Sequence, residues 1–469
     1  MRTHEITEWN PEDTQAWEAG NSAIARRNLI WLVANVHITY SIWYLWSVMV
    51  LFMPQSIYHL ATSDKLLLEA VASLVGALVR VPYTMAANWF GGRTWTTWSS
   101  LILLIPTVLT AYILSHPGQP HWLYLTCAAL TGLGGGNYSS SLAKVEGYYP
   151  QRLKGSILGL TGGIANLGSA SIQAIGLFFL LTVGRHAAPY WVCGLYLVLL
   201  SIAGVGAAIF MDNNRAHRKG LSIANIRAVL PVSDTWLLSF LYMCASGSFL
   251  GFAFAFGQLL QHNFMASGQT YAQASLHASE IAFTGPLLGS LARIFGGRYS
   301  DRFGGGRVAM TVFLASVLGG VFMTAVGAYH DRVHGAHNAA PLATTLCFIF
   351  GFVALFIFAG AGKASVYKLI PTVFDVRSRS LGLGEDDRRD WARVRSAALI
   401  GLAGAFGALG SMGVNLILRQ SYKAVGTETP AFAVFTVCYL IAAYIAWVRY
   451  VRPWREQTPD EASATASAT

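Results

Sequence analysis

Val75-Gly76-Ala77-Leu78-Val79-Arg80-Val81 returns 213 residues later as Leu288-Gly289-Ser290-Leu291-Ala292-Arg293-Ile294. Both copies read Gly-small-Leu-apolar-Arg-apolar, and each lies well inside a long hydrophobic segment. A charge placed there costs roughly 2.5–3.5 kcal/mol on insertion scales. Two such charges at matching points of a repeat point to one object shared between the halves. The planar fork of a guanidinium suits a small oxyanion.

The composition sets the solvent. Of 469 residues, 54% are apolar and only 12% are charged, against roughly 25% charged in soluble domains. The apolar runs exceed the roughly 18 residues that a membrane helix needs, so the expectation is an all-α membrane protein. Residues 1–28 are polar and lack the basic stretch and short apolar core of a cleaved signal. The net charge of +10 gathers in short connections, which is how orientation is set and not a mark of nucleic-acid binding. Cys127, Cys193, Cys244, Cys347 and Cys438 stand alone in apolar segments, without metal or redox spacing. No metal and no cofactor is expected, and no enzyme, because paired catalytic carboxylates and cofactor motifs are missing too.

Apolar segments of spanning length occur at 29–52, 66–90, 95–115, 121–148, 155–182, 188–211, 234–262, 277–300, 306–329, 342–372, 393–420 and 431–450. With the amino terminus cytoplasmic, the inner connections hold Arg93, Arg152, Lys154, Arg215, Arg218, Lys219, Arg227, Arg298, Arg302, Arg307 and the run from Arg377 to Arg395. The outer connections hold Lys65, Arg185, Arg332 and Lys423. That bias predicts both termini in the cytoplasm, with the chain multi-pass in the cytoplasmic (inner) membrane.

The longest basic connection falls between segments six and seven. The predicted organisation is a cytoplasmic segment 1–28, a six-helix bundle 29–211, a linker 212–233, a second six-helix bundle 234–450 and a tail 451–469. The Arg repeat crosses the linker. So does a second echo, Gly91-Gly92-Arg93 against Gly304-Gly305-Gly306-Arg307. Two parallel halves around a central site is a transporter architecture. Asp301, Arg302 and Arg307 form a candidate conformational latch, which Asn88 to Arg93 of the first half cannot match. The connection 375–393 reads as a charged, solvated loop.

Glycines form two rows. The first includes Gly134-Gly135-Gly136, Gly159, Gly162, Gly163 and Gly168, and the second is Gly401, Gly404, Gly407, Gly410 and Gly413. Small residues let membrane helices approach closely. A spacing of three lags the 3.6-residue turn by about 60° per step, so the second row winds round its helix. Gly163, Gly168, Gly404, Gly407 and Gly410 are candidate gating positions.

Taken in order, these pieces resemble the nitrate/nitrite porter family of the major facilitators. The matching stretches are Gly76 to Tyr83, Gly134-Gly135-Gly136-Asn137-Tyr138, Gly162-Gly163-Ile164-Ala165-Asn166-Leu167-Gly168, Gly285 to Arg293 and Gly404 to Gly410. The resemblance implies the major facilitator fold, with twelve transmembrane helices in two pseudo-symmetric six-helix bundles, working as a monomer. It implies that Arg80 and Arg293 clamp the anion, that Asn166 hydrogen-bonds it, and that Tyr138 and Tyr242 wall the site. Its substrates would be nitrate and nitrite, for import or assimilation. Relatives often carry small or neutral polar residues where Lys363 stands, and some have an aromatic residue at Ser246.

Two fixed positive charges over-neutralise one anion. An empty site would hold like charges face to face, which favours obligatory nitrate/nitrite exchange. Proton-coupled uptake is the alternative, with Lys363, Lys144 and Glu146 as candidate titrating groups and Glu280 and His37 behind them. An anion sensor or channel is the remote one.

Overall fold

The computed structural model describes residues 4–214, 223–335, 341–382 and 384–452. Most of the linker and of the tail lie outside these residues, as does the side chain of Glu146. The chain is a bundle of spans that alternate in direction. Spans α1 to α6 are Ser22–Trp43 continued by Leu45–Met49, Thr62–Leu78 with Arg80–Phe90, Gly92–Leu101 with Leu104–Ser115, His121–Thr131 with Gly136–Tyr148, Gln151–Val183 and Ala188–Phe210. Spans α7 to α12 are Ser233–Ala266, Tyr271–Ala282 with Thr284–Phe303, Gly305–His330, Leu342–Arg379, Glu385–Val425 and Thr429–Ile445.

Among the described residues eight helices are long and apolar enough to cross a membrane unaided, and α1 and α2 each make one more as a bent pair. The bends measure 47° in α1 and 41° in α2. The remaining two spans, α4 and α8, carry the Gly-Gly-Gly-Asn-Tyr stretch and Arg293. Their polarity has the same origin as the site.

The sequence repeat is kept in three dimensions. Arg80 and Arg293 each stand eleven residues before a glycine with positive φ, Gly91 at 93° and Gly304 at 86°. Only glycine adopts that conformation without strain. Each ends its helix, and the next span starts immediately, at Gly92 and at Gly305. Across the divide α2 lies along α11 and α5 along α8.

On the side of the termini, strand β1 (Glu5–Ile6) pairs in parallel with β2 (Asn213–Asn214). Arg27 pairs with Asp212. The amino-terminal segment is thus fastened to the start of the linker. On the far side the halves are stitched to each other. The Leu51 carbonyl accepts from Gln261 Nε2, Tyr271 Oη and Ser275 Oγ, each at 2.9 Å. Gln258 Nε2 donates to the Thr62 carbonyl at 2.7 Å, and Gln173 Nε2 to that of Ala253 at 2.8 Å. Tyr44 stacks on Phe254 with centroids 4.2 Å apart. Among the described residues the hydrogen bonds joining the halves lie at the level of the paired arginines or on this far side. The far side is shut.

Two expectations are corrected. Lys65 is not in a connection: α2 begins at Thr62, and Lys65 is buried in it with its Nζ on the Val50 carbonyl at 3.0 Å. The stretch 375–393 is not a loop. Apart from a short turn it is the helical ends of α10 and α11, held by pairs one turn apart such as Arg379–Asp375 and Arg389–Glu385. Mixed charge at that spacing favours helix.

A Cβ on Gly134 would lie 2.2 Å from the Thr39 carbonyl oxygen, whereas one on Gly159 would meet nothing within 4 Å. Gly134→Ala should therefore destabilise the folded protein by about 1–3 kcal/mol through overpacking, while Gly159→Ala is near neutral. Thermal unfolding of the two variants in detergent checks this, and equal midpoints would contradict the packing described.

Candidate functional site

Arg80 opens the second half of α2, just past the bend at Val79. It is buried, 3% exposed, and Nη1 donates to the Gly404 carbonyl on α11 at 2.9 Å. Its Cζ lies 5.2 Å from the centroid of Tyr138 and 5.5 Å from that of Trp43. Arg293 reaches in from α8, with Cζ 5.8 Å from the centroid of Tyr367.

Two glycines show that the arginines share a space. A Cβ on Gly162 would sit 3.2 Å from the Tyr138 hydroxyl and 3.3 Å from Arg293 Nη2. A Cβ on Gly404 would sit 3.2 Å from Arg80 Nη1 and 3.4 Å from the Tyr367 hydroxyl. Tyr138 therefore touches both guanidinium groups, one with its face and one near its hydroxyl. Tyr367 lies against Arg293 with its ring and close to Arg80 with its oxygen. The residues from α2, α4, α5, α8, α10 and α11 enclose one locus.

Asn166 on α5 is fully buried. Its Oδ1 accepts from the Tyr40 hydroxyl and from Lys363 Nζ, each at 3.2 Å. Two donors on one atom fix the amide orientation and leave Nδ2 for something else. Lys363 is itself buried and lies 4.2 Å from the centroid of Phe249. Three cations thus gather at mid-span, and among the described residues none has an ion pair with a carboxylate. Arg80 Nε, Arg293 Nη1 and Asn166 Nδ2 are buried without a hydrogen-bond partner. Leaving a buried donor unmet costs about 1–3 kcal/mol, and more for a charged group. Each of these three open atoms is a donor, and the charge around them is net positive, a lining suited to an anionic acceptor. A metal cation would be repelled, and among the described residues no three His, Cys, Asp or Glu side chains gather as a metal site.

The structure brings together Arg80, Arg293, Asn166, Tyr138 and Lys363. Tyr242 stands one layer back, stacked on Tyr367 at 4.2 Å and 2°. Tyr367 itself escaped the sequence reading. It lies one turn after Lys363 on the same face of α10, which was the signal available. Gly404, Gly407 and Gly410 face different neighbours in turn: Arg80, then Tyr242 and Ser246, then Met243 and Gly247. Gly168 abuts the His37 carbonyl and Gly163 faces open space.

Other candidates lie elsewhere. Lys144 donates to Asn88 Oδ1 at 2.8 Å near the terminal side. Glu280 is exposed on the far-side part of α8, and His37 meets the Ile164 carbonyl at 2.8 Å. Asp301 pairs with Lys368 of α10 rather than with Arg302 or Arg307. Arg302 lies against Phe303 instead, and Arg307 is exposed.

The profile of the Major Facilitator Superfamily matches residues 31–385. The nitrate/nitrite transporter NarU of Escherichia coli is 30% identical over 95% of this chain and 96% of its own length. A probable nitrate/nitrite antiporter NarK2 of Thermus thermophilus is 27% identical over 96% of this chain and 98% of its own. The crystal structure of the nucleoside transporter NupG superposes with a TM-score of 0.58, covering 89% of this chain and 98% of that one, at 12% identity. That last likeness concerns the fold alone.

Arg80→Lys and Arg293→Lys should each weaken anion binding at least tenfold, since a point charge does not replace the fork. Calorimetric titration of the purified protein with nitrate measures it. Wild-type affinity in both variants would remove the clamp.

Proposed function

This chain belongs to the Major Facilitator Superfamily and, within it, to the nitrate/nitrite porters, and from that premise we propose that it exchanges nitrate for nitrite across the membrane by alternating access. It is a transporter and not an enzyme. The observation that carries the proposal is the set of open, buried donors on Arg80, Arg293 and Asn166. Nitrate and nitrite are flat, small and singly charged, and offer several acceptor oxygens at once. Tyr138 supplies a wall, and Tyr242 backs the wall that Tyr367 makes.

Exchange follows from the charge. Without an anion, the cations from the two halves face each other in a poorly polarisable interior, where Coulomb repulsion is strong. Moving the halves in that state is costly. With an anion bound the repulsion is screened and the halves can rock. The close-packed glycines at 168, 404, 407 and 410 let α5 and α11 slide against their neighbours, while Gly163 faces open space. Asp301, in its bond to Lys368, joins α8 to α10 near the terminal side, with Arg302 and Arg307 beside it. The excess of basic residues on the terminal side puts that side in the cytoplasm. The shut far side is then the outer one, in a bacterial-type inner membrane, and the unit is the monomer.

A second reading, proton-coupled nitrate uptake, is favoured by one specific contact. Lys363 shares Asn166 with the open donors. With Lys363 charged, one bound anion leaves two positive charges uncompensated. A proton leaving Lys363 would reset the balance.

Reconstituted vesicles separate the two. Exchange predicts uptake of labelled nitrate only when nitrite or nitrate is loaded inside, with little response to a pH gradient. Uptake into anion-free vesicles, driven by a pH gradient and lost in Lys363→Asn, would establish the symport reading in its place. Neither behaviour, with large passive currents, would point to a channel.

A further inference from the structure

Glu69 sits on α2 about three turns from Arg80 toward the far side. It is completely buried, and neither carboxylate oxygen has a hydrogen-bond partner. Lys65, one turn on, is the neighbouring cation, yet its Nζ is spent on the Val50 carbonyl at 3.0 Å. Among the described residues no ion pair joins the two.

The opposite helix offers no relief. Arg80 bonds Gly404 and Ser73 bonds Ser411, each at 2.9 Å. That antiparallel register sets Glu69 opposite Asn415. Asn415 is also fully buried, its Nδ2 donates to the Ser411 carbonyl at 3.0 Å, and its Oδ1 has no partner. Titratable or charged groups toward the far-side part of the packed elements include Tyr44 on α1, Tyr124 and Cys127 on α4, Arg419 on α11, His262 on α7 and Tyr271 on α8. His262 meets Thr62 at 3.4 Å and Tyr271 lies 5.6 Å from Lys65. None of them donates to Glu69. At this register an ionised carboxylate and the open Asn415 oxygen would both be acceptors, and neither has a donor. A protonated one is neutral and carries the only donor the pair lacks.

Glu69 also adjoins the far-side gate. Lys65, one turn away, bonds the Val50 carbonyl that also accepts from Tyr271 of the other half, and Thr62, two turns away, accepts from Gln258. We infer that Glu69 is a proton-binding site that locks this gate: the carboxyl is protonated while the gate is closed, and opening hydrates and ionises it.

The sign follows from linkage. The closed state holds one more proton than the open state, so acid favours closure. Above the ordinary carboxyl range, near pH 4.3 for a hydrated glutamate, each pH unit changes the closed-to-open ratio by up to tenfold. The inference requires the gate to open but not that the anion be nitrate, so its test is run with nitrate present, where the halves can rock, and again without it, and only a result common to both counts against it.

Spin labels report the gate. They are placed at Ile57→Cys and Met265→Cys, exposed far-side positions in different halves, with Cys347→Ser and Cys438→Ser removing the less buried native thiols. Pulsed electron resonance then gives the distance distribution between pH 5 and 8. The expected result is a long-distance population that grows with pH, absent at every pH in Glu69→Gln and retained in Glu69→Asp. A response unchanged in Glu69→Gln overturns the inference. So does a distribution that ignores pH when Glu69 is intact, a result that does not depend on how the variants fold.

Discussion

The structure depends on cationic donors held at mid-membrane with no protein acceptor to meet them. Arg80 gives one of its nitrogens to Gly404, and Asn166 gives its oxygen to Tyr40 and Lys363. These bonds aim the side chains but leave Arg80 Nε and Asn166 Nδ2 open, and Arg293 Nη1 is open too. A folded chain can hold such a group only if the surrounding packing overdetermines it. Here the aromatic faces of Trp43, Tyr138, Tyr367 and Phe249 do that, each 4.2–5.8 Å from a cation. Cation–π contact stabilises the charges without using their hydrogen-bonding edges, so the fold itself orients the open donors.

The halves are related by a repeat that is both chemical and geometric. The Arg and the helix-ending glycine recur at one spacing in each half, yet the surroundings diverge. On the terminal side the first half fastens Gly91 and Thr94 with Asn213 and Glu5, while the second uses the Asp301–Lys368 pair between α8 and α10. Two similar bodies with different fastenings can move as units about a common locus. On the far side they are joined by side chains of α7 and α8 bonded to the backbone carbonyls of Leu51 and Thr62.

Much of this was legible in the chain. Hydrophobic length marked most of the spans, and the Arg repeat pointed to two halves and to the place where Arg80 and Arg293 come together. Asn166 and Tyr138 were readable because they stand in glycine-rich stretches where polar residues are few. Tyr367 was not, since one tyrosine on a long apolar helix looks like any other until its neighbours are known. Lys65 was misplaced and Glu69 passed over for a related reason. Lys65 falls just outside the apolar run, where a charge looks like a loop, and Glu69 just inside it, and only the packing around that edge shows both buried. The charged stretch after Lys368 misled in the opposite sense, because its residues pair along two helix ends.

The most direct measurement is a structure of the protein determined in the presence of nitrate. The account predicts a planar density between the halves, with its oxygens about 3 Å from Arg80 Nε, Arg293 Nη1 and Asn166 Nδ2. Those three donors satisfied by water or by protein, with nitrate ordered elsewhere, would contradict it.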